Sequence, residues 1–180
     1  AESEKYAKQA LDMCLGRGGD QAAVRTENGY EFYGGLSKGI SRNTRVKSRM
    51  VANALVELVN SHERVLVMGH TYGDLDSIGS ATGICAAVKA MGKECYVVVD
   101  KERNLAHLMI DYIEENSIKN YYISPQEGLS KMNEETLLII TDTHNPDLVD
   151  SKELLEKASC LAVIDHHRLM VKAIEKSDLF

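Results

Sequence analysis

The sequence lacks any segment that could cross or be targeted to a membrane. Its unbroken apolar runs, such as residues 65–68 and 137–140, are far too short to span a bilayer. Nowhere does a charged start lead through an apolar stretch to a small-residue cleavage site. Only four cysteines occur (Cys14, Cys85, Cys95 and Cys160), with no CxxC pair, which reads as free thiols in a reducing compartment rather than as disulfides or a zinc knuckle. Basic residues are in deficit. The 21 Lys and Arg stand against 27 Asp and Glu for a net charge of −6, and the pI is about 5.5. That balance argues against a nucleic-acid polymer as partner, because polymer binders need a basic surface to replace counterions. It leaves room for a small phosphate compound held through metal ions. Neither GxGxxG nor GxxxxGK[ST] occurs, so no glycine-rich phosphate loop is expected. Prolines number two, Pro125 and Pro146, and both read as loop residues.

What is present is ordinary globular material: 180 residues, 44% hydrophobic and 27% charged. This is enough for one cored domain, or one with part of another. Residues 2–15 carry Tyr6, Ala10, Met13 and Cys14 at helical spacing. The glycines Gly16, Gly18 and Gly19 end that helix, and residues 21–24 start a strand. Tyr30, Phe32 and Tyr33 precede a Gly-rich connection at Gly34-Gly35. Between 44 and 60, Val46, Met50, Ala54, Leu55 and Leu58 form one apolar stripe, capped by Asn43 or Thr44, and this helix reads as a connector. Beyond it the pattern alternates. Strands are expected at 65–68, 96–99, 121–123, 137–140 and 161–164, and helices at 78–90, 105–114 and 152–157. Continuous apolar strands separated by amphipathic helices predict an α/β fold, a parallel sheet flanked by helices and preceded by a short α+β segment.

The polar residues cluster where three strands end. After 65–68 comes Gly69-His70-Thr71-Tyr72-Gly73-Asp74-Leu75-Asp76-Ser77. After 137–140 comes Thr141-Asp142-Thr143-His144, and after 161–164 comes Asp165-His166-His167-Arg168. Open α/β sheets bind ligands at that carboxyl edge. Histidines and carboxylates without thiolates suit Mn²⁺, Fe²⁺, Co²⁺ or Zn²⁺, and the excess of oxygen donors favours manganese. His70, Asp74, Asp76, Asp142, Asp165 and His166 exceed the needs of one ion, and so many carboxylates would repel one another without cations. Two ions about 3.5–4 Å apart would resolve this, as in phosphatases and nucleases. The Asp74-x-Asp76 spacing would let two carboxylates of an extended loop reach neighbouring ions. The plainer alternative is that Asp76 or Ser77 simply caps the next helix. His62, His107 and His144 read as structural, the first two as helix residues.

These residues resemble the DHH phosphoesterase superfamily, whose third motif stands here as Asp165-His166-His167. Its first motif, HxxPDxDxxG, is His70-Thr71-Tyr72-Gly73-Asp74-Leu75-Asp76-Ser77-Ile78-Gly79, with Gly73 in place of proline, and its second is Asp142-Thr143-His144. The segment Leu15-Gly16-Arg17-Gly18-Gly19-Asp20-Gln21-Ala22, followed by Tyr33-Gly34-Gly35, is similar to the end of the degenerate GGDEF domain of GdpP-type cyclic-di-AMP phosphodiesterases. The implied organisation is residues 1–43 as that domain's tail, 44–61 as a connecting helix and 62–180 as a DHH domain. Cyclase activity is not implied.

The resemblance implies two manganese ions, other divalent metals being possible. His70 and Asp74 would hold one, Asp76 and His166 the other, with Asp142 bridging and Asp165 supporting His166. His167 and Arg168 would meet the scissile phosphate of cyclic-di-AMP, which hydrolysis opens to pApA. A further family aspartate and a DHHA1 domain are not found before Phe180, so the chain reads as a fragment with an incomplete site and little turnover of its own. That fragment is expected to be soluble and cytoplasmic, from a homodimeric parent anchored at the membrane and facing the cytoplasm. Competing readings are an oligoribonuclease, a 3′-phosphoadenosine 5′-phosphate phosphatase, a pyrophosphatase, or, for the fragment, a non-catalytic binding module.

Overall fold

The computed structural model describes residues 2–16, 21–26, 29–34, 45–116, 120–167, 173–174 and 177–179. The chain divides into two compact units, Ala1–Thr44 and Arg45–Phe180. No helix of the described residues is long and apolar enough to cross a membrane.

In the smaller unit, helix α1 (Glu2–Gly16) is followed by an antiparallel hairpin of β1 (Gln21–Thr26) and β2 (Gly29–Gly34). The second strand holds Tyr30, Phe32 and Tyr33, for which the sequence reading named no element, and ends at Gly34, where the Gly-rich connection was expected to begin. Its signal is period two: Tyr30 and Phe32 are half-buried while Glu31 and Tyr33 are exposed. Gly29 enters it at φ +121°, a conformation that needs glycine. The Arg25 guanidinium lies 3.4 Å from the Tyr6 ring centroid, tying hairpin to helix. Residues 17–20, Gly35 and the expected caps Asn43 and Thr44 lie outside the described residues.

The larger unit is a five-stranded, wholly parallel sheet in the order β5-β4-β3-β6-β7. Its strands are β3 (Arg64–Met68), β4 (Glu94–Val98), β5 (Tyr122–Ile123), β6 (Thr136–Thr141) and β7 (Cys160–Ile164). Alternate residues serve opposite faces. Val65, Val67, Leu137 and Ile139 pack beneath Ile78, Ala81, Cys85 and Val88 of α3 (Leu75–Ala90), together with Val59 of α2 (Arg45–Ser61) and Ile110 of α4 (His107–Asn116). Leu66, Met68, Leu138 and Ile140 pack on the other face with Leu154 of α6 (Lys152–Lys157). Both faces are therefore dry, which is why residues 65–68 and 137–140 of the central strands are apolar at every position.

Helix α2 groups with the larger unit, with Leu55 and Leu58 packed on its core. Two local expectations need correction. Pro125 is not in a loop. It opens α5 (Pro125–Lys131), where Ser124 and Glu127 form a reciprocal capping box, the Glu127 carboxylate accepting from the Ser124 amide at 2.8 Å. Helix α3 begins at Leu75, three residues early, because Asp74 is its cap.

The register decides where the motif-bearing loops leave the sheet. Met68 lies opposite Ile140, and Thr141 opposite Ile164. Strands β3, β6 and β7 thus end side by side, around the point where connections depart in opposite directions.

Candidate metal centre

Each of the three strand ends delivers one motif. Beyond β3, Gly69 lets the start of α3 come close: a Cβ there would lie 2.0 Å from Ser77 Oγ. The loop then runs against residues 148–150, with the Thr71 amide donating to Leu148 O (2.6 Å), the Asp150 amide to Gly69 O (3.1 Å), and His70 bridged to Val149. Gly73 is held by the Leu105 and Ala106 amides, which donate to its carbonyl at 3.0 and 3.2 Å, and a Cβ on it would meet Asn104 Nδ2 at 2.6 Å. A side chain at this position would therefore require Asn104 to shift.

His70 Nδ1 lies 2.9 Å from Thr71 O. With Nδ1–H donating there, Nε2 is left as the lone-pair nitrogen, the arrangement that metal-bound histidines adopt. Asp74 Oδ1 accepts from the amides of Asp76 (3.0 Å) and Ser77 (3.1 Å). The Ser77 amide above all holds the Asp74 carboxyl below its ordinary pKa. The helix cap is therefore Asp74, not Asp76 or Ser77, and Asp76 sits in the first helical turn rather than in an extended loop.

Asp142 leaves β6 in the left-handed conformation, φ +61°, its amide donating to Ile164 O at 2.9 Å. Aspartate tolerates this region better than most residues, at some cost in strain. The turn places its carboxylate between the other two motifs. Oδ2 is 3.6 Å from His70 Nε2, and Oδ1 is 3.3 Å from His166 Nε2 and 3.6 Å from His167 Nδ1. Burial, then the charge of Asp76, pushes the Asp142 pKa up. Oδ1 is buried with no hydrogen-bond partner.

Beyond β7, Asp165 Oδ1 accepts from the amide of His167 (3.0 Å) and from its Nδ1 (2.7 Å), and Oδ2 is bonded to Nδ1 of His144. Burial works against the Asp165 charge, but bonds from His167 and His144 prevail and lower its pKa, while Asp165 in turn raises that of His167. Asp165 is thus bonded to His167 and His144, where the resemblance implied support of His166. His166 Nε2 instead faces Asp76 Oδ2 (3.4 Å) and Asp142 Oδ1 (3.3 Å).

The structure therefore brings His70, Asp74, Asp76, Asp142, Asp165, His166 and His167 together, while Arg168 lies outside the described residues. Two three-residue groups could each hold a cation, His70–Asp74–Asp142 and Asp142–His166–His167, and Asp142 is common to both. The donor set fits such a group on one observation above all. A buried carboxylate oxygen without a donor is costly, and a cation between it and the imidazoles would remove that cost. A cavity of about 520 Å³ opens beside the cluster, lined by His70, Asp142, His144, Leu148, Asp165 and His167.

Two residues that sequence reasoning set aside or overlooked lie here. His144 is fully buried against Asp165, and it could have been found by the same strand-end rule that found Asp142. His62 lies just past α2, its ring bonded to Leu58 O at 2.7 Å, and His107 opens α4. Asp150, whose pKa burial raises to about 6, is placed near His70 by the 148–150 segment, and no sequence spacing signals it.

Fold and site together define a parallel α/β domain with a histidine–carboxylate centre at its strand ends. The profile of the DHH family, N-terminal domain, matches residues 64–179, and the chain belongs to that family. It is 39% identical over 166 residues to cyclic-di-AMP phosphodiesterase GdpP of Bacillus subtilis, covering 90% of this chain and 25% of the relative. It is 40% identical over 167 residues to cyclic-di-AMP phosphodiesterase PdeA of Listeria monocytogenes, with the same coverage. A membrane protein–ribosomal subunit bL9 fusion of onion yellows phytoplasma is 30% identical over 170 residues, 91% of this chain and 20% of the relative. The chain thus spans about a quarter of the length of the curated relatives it matches. Among solved structures, an exopolyphosphatase-related protein from Bacteroides fragilis superposes with a TM-score of 0.50 at 14% identity, over 76% of this chain and 39% of that one, a likeness of fold.

Proposed function

We propose that this chain carries the metal centre of a phosphodiesterase that hydrolyses cyclic-di-AMP to pApA. The observation that carries the reaction class is Asp142, a buried carboxylate with one oxygen toward His70 and the other, unpartnered, toward His166. The names of the 39–40% identical relatives support the substrate. In this reading His70, Asp74 and Asp142 hold one divalent cation, and Asp76, His166 and Asp142 the second. The oxygen-rich donors favour manganese. When bound, such a pair lowers the pKa of water and neutralises charge building on the phosphate.

The chain's own side chains do the rest. With Nδ1 of His167 given to Asp165, Nε2 is the nitrogen that can donate to a phosphate oxygen, and the raised pKa keeps it protonated over a wider range. Arg168 follows as a bidentate phosphate contact. Leu148 and residues of the motif loops line the adjoining cavity. We further propose residues 1–43 as the tail of a degenerate GGDEF domain, within a homodimeric, membrane-anchored parent whose catalytic part faces the cytoplasm.

The test is to give the full-length protein containing this chain, and its Asp142→Ala variant, cyclic-di-AMP with Mn²⁺ and to follow pApA by chromatography. Product from the first alone supports the reading. No product from the unaltered protein, with Mn²⁺ bound, would overturn the substrate and turn attention to linear oligonucleotides or 3′-phosphoadenosine 5′-phosphate.

A further inference from the structure

We propose that His144 is a positioning residue: through Asp165 it fixes the ring of His167 for the substrate and so separates the roles of the two adjacent histidines. The proposal deepens the phosphodiesterase reading and rests on it for the substrate, though not for the geometry.

The side chains of His144 and Asp165 are each only 1% exposed, and they are directly bonded, Nδ1 to Oδ2. They lie just beyond the ends of different strands, β6 and β7, which the register aligns at Thr141 and Ile164. The other Asp165 oxygen takes both the amide and the ring Nδ1 of His167. The carboxylate is thus gripped at both ends, and it cannot turn about Cβ–Cγ without breaking all three bonds. The His144 carbonyl, which accepts from the Ile174 amide at 2.9 Å, anchors the backbone behind it.

Stability does not explain this arrangement. Taking a carboxylate and an imidazole out of water costs free energy that their attraction often fails to recover, and apolar replacements of buried ion pairs are frequently neutral or better. What the pair does supply is direction. His166 and His167 are neighbours with ring centroids 4.4 Å apart, and Asp142 Oδ1 is within 3.6 Å of a nitrogen of each. Either could serve as ligand by distance alone. The Asp165 bond occupies the His167 nitrogen that faces Asp142, leaving His166 to complete the ligand set and His167 to meet substrate. His144 holds Asp165 in that orientation. Its Nδ1 is committed to Asp165, and neither candidate cation group includes it.

The test exploits amide geometry. An asparagine Nδ2 falls where the histidine Nδ1 lies, whereas a glutamine Nε2 falls at the position of Nε2. His144→Asn therefore keeps a donor on Asp165 Oδ2, His144→Gln misplaces it and His144→Leu removes it. In the metal-free, ¹⁵N-histidine-labelled chain at one fixed pH, long-range ¹H–¹⁵N spectra report the hydrogen-bonded Nδ1–H of His167. That signal is expected in wild type and His144→Asn and lost in His144→Gln and His144→Leu. In the full-length protein, the Gln and Leu variants should lose roughly tenfold to a hundredfold in kcat, the range typical of groups that orient a site. KM and Mn²⁺ affinity should change little, and Asn should restore most of the rate. If His144→Leu does not fold, the Asn and Gln variants decide between them.

An unchanged His167 signal in the Gln variant, or equal kcat for Asn and Gln, would overturn the positioning role. Absence of wild-type turnover on cyclic-di-AMP would instead defeat the substrate reading, with the ring spectra still deciding the role of His144.

Discussion

His70 and His166 stand on opposite sides of one carboxylate, and they are held very differently. The His70 side chain is 22% exposed, its Nδ1 is bound to Thr71 O, and its loop is laced to residues 148–150. Its partner Asp74 is fixed by two backbone amides. The His166 side chain is 70% exposed, and its contacts among the described residues are Asp76, Asp142 and the His167 ring. One half of the centre is preorganised and the other is open. Preorganisation lowers the entropic cost of binding, so under the proposed two-cation reading the His70 half is expected to be the tighter position. On the same reading the open half should gain most from a first cation, because Asp142 is shared and burial, then the charge of Asp76, raises its pKa when no cation is bound.

The sharpest way to break the comparison is to remove the shared residue. Asp142→Ala should abolish both Mn²⁺ binding events and lower metal-dependent turnover more than a hundredfold, beyond what loss of a merely supporting group costs. Calorimetry and product chromatography would read the two effects. Next come the two histidines. His70→Ala should eliminate the tight event and weaken what remains, whereas His166→Ala should leave one tight event nearly intact. Equal losses from the two variants would erase the asymmetry.

Asp150 gives a prediction of intermediate size, on the preorganised side. Its folded pKa of about 6 lies above the ordinary 3.8, so the unfolded chain releases this proton first as pH rises. The metal-free fold therefore loses stability between about pH 4 and pH 6 and stays less stable above that window. Asp150→Asn, which keeps an acceptor for the Asp100 amide, should stabilise the metal-free chain by up to about 3 kcal/mol at neutral pH. Near pH 4 it should have almost no effect. Urea unfolding at several pH values would show a flat difference if the idea is wrong. The smallest effect separates the two aspartates of the first motif. Asp74→Ala also removes a helix cap and should cost about 1 kcal/mol of metal-free stability. Asp76→Ala should cost less, since its repulsion of Asp142 offsets its favourable place near the helix start.

How far these features were legible in the sequence depends on whether they are local. Strands β3, β6 and β7 could be read because a strand buried on both faces is apolar throughout, and the motifs after them because charge at the end of such a strand is conspicuous. Helix α5 was passed over since its seven residues, Pro125–Lys131, have no apolar period, although Ser124-Pro125 with Glu127 is a capping signature. Strand β2 was hidden by its glycines. The resemblance implied His166 as the partner of Asp165, whereas one partner in the fold, His144, is 21 residues away and is delivered by the pairing of β6 with β7.

Calorimetric titration of Mn²⁺ into the metal-free chain and its Asp142→Ala variant tests the shared carboxylate most directly. Two events of unequal affinity in the first and none in the second are the predicted result. A single event in the first, or binding that persists unchanged without Asp142, would contradict a centre built around that residue.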